Sequence, residues 1–432
     1  MPGAERVDRQ REIAAPWTVY AATFSPDGRR LAIGGGSWYG RGGIIIVELA
    51  TGRSQQLRCA DLPDARSLGA TVSGLCFSAD ARHLVASTWS DRHADGAVML
   101  FEVDGLALHH HGTFRCHGPG DARRLATTGV VLHGGAAIAR NHGSLATDMI
   151  AAVALPPVVD RTPVQQLGSQ RIVVAGDRAI TGNQGETAMT IDHDGSAIWR
   201  RARTGSLLVA PLARPGAPER IEVGTGSWVT AIARLDDAVV TGTSDGDLDA
   251  WSLDGSWRRR RLRAATPRAP IVHRDDANWV NDDETWLSYA PNSIVDICRI
   301  PARCAAGVSA GGELCLFDAA GVLESHALAI PGSPRAIAAH PDGAALAIGL
   351  KTGGAASAVV VVDLRTDVDP QLCSQTARSL ARAASAGDRH AFTVLADALE
   401  EAGAPAFIVS HLYEHDPALP SCWVVDAILG AE

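Results

Sequence analysis

Ala21-Ala-Thr-Phe-Ser-Pro-Asp-Gly-Arg-Arg-Leu-Ala-Ile-Gly-Gly35 decides the fold. A small, apolar run meets Ser-Pro-Asp-Gly, and a second apolar run follows. Asp caps such a turn through its carboxylate and Gly takes the positive φ, so the stretch reads as a β-hairpin. The pattern returns at Ser73-Gly-Leu-Cys-Phe-Ser-Ala-Asp-Ala-Arg-His-Leu-Val-Ala-Ser87 and at Arg335-Ala-Ile-Ala-Ala-His-Pro-Asp-Gly-Ala-Ala-Leu-Ala-Ile-Gly349. Each copy leads to a third β-run ending in an acidic residue: Ile44-Ile-Ile-Val-Glu48, Val98-Met-Leu-Phe-Glu102 and Val359-Val-Val-Val-Asp363. A further copy runs from Val229-Thr-Ala-Ile-Ala233 to Asp247-Leu-Asp-Ala-Trp-Ser-Leu-Asp-Gly255.

A repeat of this kind resembles the WD40-type β-propeller, whose blades are four antiparallel strands. The resemblance covers about residues 8–370. No copy joins a Gly-His start to a Trp-Asp end, and Trp251-Ser252 comes nearest, so the blades are divergent. Third-strand anchors at Val47, Phe101, Val153, Val209, Trp251, Phe317 and Val362 predict seven blades, with six as the alternative count. The expected spans are 15–57, 66–114, 122–180, 186–224, 227–264, 292–328 and 333–370, with Asp192-His-Asp-Gly195 standing for the turn of blade 4. No fourth strand follows Asp363, so Arg9-Gln-Arg-Glu-Ile-Ala-Ala15 is expected to complete the last blade and remove two open edges.

From about residue 372 the apolar period changes to helical spacing, with Leu380, Ala383 and Ala384, then Phe392, Leu395, Ala396 and Leu399. Asp388 starts the second segment and Gly403 stops it. The expected organisation is an all-β propeller over 8–370 and a small α-helical C-terminal extension over 371–432. The pair Leu395-Ala-Asp-Ala-Leu-Glu-Glu-Ala-Gly403 and Ser421-Cys-Trp-Val-Val-Asp-Ala-Ile-Leu-Gly430 is similar to a short motif of bacterial repeat-containing proteins.

The net charge of −9 makes nucleic acid an unexpected direct partner. No apolar run is long enough for a membrane helix, and Met1–Gln10 carries no apolar signal core, so a cytoplasmic protein is expected. The eight cysteines contain no Cys-x-x-Cys pair and read as buried thiols.

Several motifs carry residue types that chemistry uses. Gly242-Thr-Ser-Asp-Gly246 has the spacing of a nucleophile elbow but lies between β-runs, so it reads as a turn. Asp245, Asp247 and Asp249 alternate along a strand and lack the rest of a calcium loop. His109, His110, His111, Cys116 and His117 read as outer-strand surface rather than zinc ligands. Arg258–Arg261 and Arg263 form a basic run on an expected outer strand. No metal ligands, cofactor or catalytic constellation are assigned.

The asymmetry of the rims is the better signal. Turns between second and third strands hold Trp38, Tyr39 and Arg41; Trp89, Arg92 and His93; Asn141 and His142; and Lys351, the only lysine. The Pro-Asp-Gly turns at the other end are plain. The insertion around Trp279 and Trp286 mixes aromatics with carboxylates, as interfaces do. The resemblance and these residues together imply a non-enzymatic scaffold binding a protein or peptide, inside a bacterial signalling or defence assembly. The alternatives are a propeller hydrolase or lyase using Asp91, His93 and His142 at the channel mouth, and a small-ligand or nucleic-acid sensor.

Overall fold

The computed structural model describes residues 10–36, 42–62, 71–89, 97–115, 125–134, 136–143, 149–160, 171–183, 187–191, 197–201, 205–213, 218–224, 229–235, 237–264, 291–301, 304–318, 320–352, 357–365, 368–415, 419 and 422–430. Seven antiparallel sheets, the blades, follow one another along the chain. Blade 1 consists of Thr18–Phe24, Arg30–Gly36, Gly43–Glu48 and Ser54–Arg58, hydrogen-bonded in that order. Blades 2, 5 and 6 repeat that plan. The first strand of each blade touches the first strand of the next, and blade 7 touches blade 1, so the inner strands close a ring. The protein is a seven-bladed β-propeller.

All seven third-strand anchors lie in third strands, but the expected border between blades 3 and 4 was misplaced. Blade 3 has three described strands, Leu125–His133, Ala136–Gly143 and Met149–Ala154. Residues 172–180, assigned to blade 3, belong to blade 4, which begins with Ile172–Ala175 and Arg178–Asn183. The turn of blade 4 is therefore built at Gly176, with φ +61. Residues 192–195 lie outside the described residues. They separate Thr187–Ile191 from Ala197–Arg201, which among the described residues pair only with each other and lie between the second and third strands of blade 4.

The blades fit together by close approach at small residues. A Cβ on Gly34 would stand 2.5 Å from Val72 Cγ1, on the first strand of blade 2. The same relation joins Gly182 to Val229, Gly242 to Ile294 and Gly349 to Val19, each across a seam between blades. Next to these contacts, six first strands carry a register shift near their start: Val19/Ala21, Val72/Gly74, Thr127/Gly129, Val229/Ala231, Ile294/Asp296 and Pro334/Ala336. A bulge adds one residue and re-aims the side chains before it. A β-branched knob thus enters the space left by a glycine of the preceding blade.

Ring closure uses two contacts of a different kind. Gln10–Ala15 pairs antiparallel with Ser357–Asp363 and is the outermost strand of blade 7. His340 precedes Pro-Asp-Gly in blade 7, where Ser25 precedes it in blade 1. Ser25 Oγ donates to Asp27, and His340 Nδ1 correspondingly faces Asp342 Oδ1. His340 Nε2 reaches the carbonyl of Gly28 in blade 1 at 2.9 Å. The Asp342 carboxylate and the Gly28 carbonyl are both acceptors, an arrangement that favours the doubly protonated ring. Burial opposes that charge, but the hydrogen bond and charge of Asp342 outweigh it and raise the His340 pKa.

Four helices follow: α1 (Gln375–Ser385), α2 (Arg389–Glu401), α3 (Ala406–Glu414) and α4 (Trp423–Gly430). Ser374 caps α1 and Asp388 caps α2 through their side chains. Their apolar faces share one cluster, which includes Val368 and Leu372 and takes in Ala344 beside the blade 7 turn.

Two outcomes test this architecture. Gly34→Ala pushes a methyl into Val72 and should destabilise the protein by about 1–3 kcal/mol, read as a lowered urea midpoint. His340→Gln should cost about 2 kcal/mol near pH 6. A raised folded pKa gives stability that is present below the ordinary histidine pKa and lost as pH rises through the folded value. The gap between wild type and His340→Gln should therefore narrow from pH 6 to pH 9 in thermal melts.

Candidate interaction face

In antiparallel blades, the second-to-third-strand segments and the links from one blade to the next leave from the same end of the ring. Trp89 is the last residue of its second strand, His83–Trp89, and pairs with Thr71. Lys351 holds the same place in blade 7, is half-buried and pairs with Ser333. Asn141 and His142 lie near the end of the second strand of blade 3. Trp38, Tyr39, Arg41, Arg92, His93, Trp279 and Trp286 lie outside the described residues, as does Asp91. The described ends that flank them, such as Gly36 and Gly43, belong to this same end of the ring.

Short polar side chains fasten neighbouring blades beneath this end. Thr230 Oγ1 donates to Gly242 O at 3.1 Å within blade 5 and also to Ile294 O of blade 6. Ser293 Oγ donates to Ser244 O, and Asn292 Nδ2 donates to Asp245 O at 2.6 Å. Ser333 Oγ reaches Ala310 O at 3.0 Å between blades 7 and 6. Each bond occupies a backbone carbonyl oxygen, which has two lone pairs to offer. Gly242–Gly246 takes part as a tight hairpin, with Gly246 N on Thr243 O at 3.0 Å. Ser244 is buried there, and the strand–turn–helix of a nucleophile elbow is not formed.

Two motifs that the sequence presented separately are each other's partners. Asp249 is fully buried on the third strand of blade 5 and receives Arg259 Nη2 at 2.8 Å and Arg261 Nε at 2.5 Å from the fourth strand. Arg261 also holds Asp247 at 2.8 Å. Arg258 pairs with Asp254 at 2.9 Å. The ends of the run reach sideways: Arg259 Nη1 bonds Val223 O of blade 4, and Arg263 Nη2 bonds Glu313 of blade 6 at 2.7 Å. The basic run is mostly the cement of three blades, and its charge is largely consumed.

The outer strand of blade 2 behaves as a surface strand. His109 and His111 are exposed and His110 bonds Thr113 Oγ1 at 2.9 Å, while Cys116 and His117 lie outside the described residues. The seven described cysteines are free and buried. Burial pushes the thiols of Cys59, Cys76 and Cys422 up to about 12, so they are protonated and poor nucleophiles at neutral pH. Sequence reasoning missed His340, the Asp249 pairing and a third group, His411, His415 and Cys422, whose donor atoms all lie within 4.8 Å of one another.

Asp249→Asn leaves two arginines without their shared charge and should cost about 3 kcal/mol in urea unfolding. A Trp38→Ala, Tyr39→Ala, Trp89→Ala triple variant should shift that midpoint by much less if those side chains serve binding.

No family model matches the chain, and no curated protein matches it in sequence. Among solved structures, a chain of "Crystal Structure of Mitotic Checkpoint Complex" is similar over 84% of this chain and 96% of its own, with 12% identity and a TM-score of 0.50. At that identity the likeness is one of fold. Strand order, ring closure and this likeness agree: the chain is a seven-bladed β-propeller carrying four short helices at its C-terminal side.

Proposed function

We propose that this protein is a non-enzymatic interaction scaffold, which holds a protein or peptide partner on the rim that carries the second-to-third-strand segments. The carrying observation is the strand order of a closed ring. The described strand ends that flank the segments with Trp38, Tyr39, Arg41, Trp89, Arg92, His93, Asn141, His142 and Lys351 share one end of the ring, which supports a common rim. The insertion with Trp279 and Trp286 links the fourth strand of blade 5 to the first of blade 6, so it leaves from that end too. Tryptophan, tyrosine and arginine are the side chains that dominate protein interfaces. A rigid ring stapled between blades loses little entropy when it binds.

The enzyme reading has less support: of its channel-mouth candidates, Asp91 and His93 lie outside the described residues, and the Gly242–Gly246 elbow spacing forms a structural hairpin. Nucleic acid is disfavoured by the net charge of −9 and by the pairing of the arginine run. Among the described residues no helix is long and apolar enough to cross a membrane. The resemblance to bacterial WD40-type proteins extends the proposal to a cytoplasmic signalling or defence assembly.

Capture by tagged protein from its native lysate tests the reading. The Trp38→Ala, Tyr39→Ala, Trp89→Ala variant should bind a stoichiometric partner about 30-fold or more weakly. An Arg29→Ala, Arg82→Ala control on the opposite turns should bind as wild type does. Equal capture by the triple variant overturns this rim, and no partner for any form overturns the scaffold.

A further inference from the structure

The C-terminal helices gather a donor set that a scaffold reading leaves unused. His411 lies in the last turn of α3, and His415 is the residue that ends this helix. A spacing of four brings both rings to one face. Cys422 stands immediately before α4 and meets His411 Nε2 at 3.3 Å. The three donor atoms lie within 4.8 Å of one another. Donors held 2.0–2.3 Å from a tetrahedral ion stand about 3.3–3.6 Å apart, so the set is nearly gathered already.

The surroundings suit a bound cation. Trp423 packs on His411 with centroids 5.3 Å apart, and Phe392 stacks on His415 at 4.7 Å. These rings restrict both imidazoles on their apolar sides. Asp342, from the blade 7 turn, acts electrostatically on His411 and Cys422. Asp426, one turn after Cys422, acts on His415 and Cys422, while Arg365 faces both carboxylates. His411 and Cys422 are buried and His415 is half-buried.

We propose that His411, His415 and Cys422 bind one zinc ion, with water as the fourth ligand, and that the ion clamps α3 to α4 beside blade 7. Two imidazoles and one thiolate are a borderline-to-soft set that favours zinc over calcium or magnesium. Binding releases the thiol proton of Cys422 to solvent as the Zn–S bond forms. In the metal-free form Cys422 Sγ and His411 Nε2 share one hydrogen bond at 3.3 Å, whose direction the imidazole tautomer sets.

Metal-stripped full-length protein should be titrated with cobalt(II), read by the thiolate-to-cobalt absorption band, and then with zinc in competition. One equivalent should bind with that band, and zinc should displace it. Zinc should raise the thermal midpoint and a chelator should reverse the rise. His415→Gln, at the less buried ligand, should weaken binding by about 100-fold or more while leaving the metal-free midpoint near that of wild type. Cys422→Ser should abolish the band, and His390→Gln, on the exposed start of α2, should change nothing. Absence of the thiolate band in wild type overturns the proposal, as does equal binding by His415→Gln. Because the readouts are spectroscopic and thermal, they stand or fall independently of partner capture.

Discussion

Everything in the ring depends on how closely one blade can approach the next. The seams are set where Val72, Val229, Ile294 and Val19 enter the spaces at Gly34, Gly182, Gly242 and Gly349. A side chain at any of those glycines would hold two sheets apart, and a ring cannot open at one seam without misfitting the others. The bulges beside these contacts serve the same end, since they turn the knob toward its neighbour before regular pairing resumes. The polar staples at Thr230, Ser293 and Ser333 then act across distances that the glycines have already fixed. Hydrophobic burial supplies the driving force, but packing at the seams selects this ring among other stackings of similar sheets.

Much of this was legible in the chain because turns and strand ends leave local marks. Ser25-Pro-Asp-Gly28 and Ser78-Ala-Asp-Ala81 build the same hydrogen-bonded hairpin, the second with Ala81 at φ 58 in place of glycine. The third-strand anchors were equally readable, since apolar runs buried on both faces stand out from their polar neighbours. Blade 4 escaped because its first turn uses Asp177 beside Gly176 without a proline, and its strands are short. The inserted hairpin copied the turn chemistry of a blade and drew the reading to itself. A two-stranded hairpin and the start of a blade are locally the same object, and only long-range pairing separates them.

The site features divide along the same line. Alternation of strand direction assigns each connection between described strands to one end of the ring, whatever its sequence. The partnership of Asp249 with Arg259 and Arg261 needed cross-strand register, in which Asp249 lies opposite Arg261. Read singly, one motif was an alternation of carboxylates and the other a basic run, and each proved to be the counter-ion of the other. His340 was hidden in the repeat because it occupies a serine position, and its second nitrogen acts on Gly28, 312 residues away. The His411–His415 spacing was visible as text, but Cys422 joins it only through the packing of α3 on α4.

The pairing of Gln10–Ala15 with Ser357–Asp363 also sets an order of events during synthesis. The strand that completes the last blade leaves the ribosome before blades 1 to 6 do, and its partner emerges some 347 residues later. At ordinary elongation rates that interval is about 20–70 s. Throughout it, six blades can assemble in sequence while the seventh waits, and the leading strand remains an unpaired edge. The nascent chain must therefore keep that strand in reserve, exposed to any passing strand, until its propeller is nearly finished.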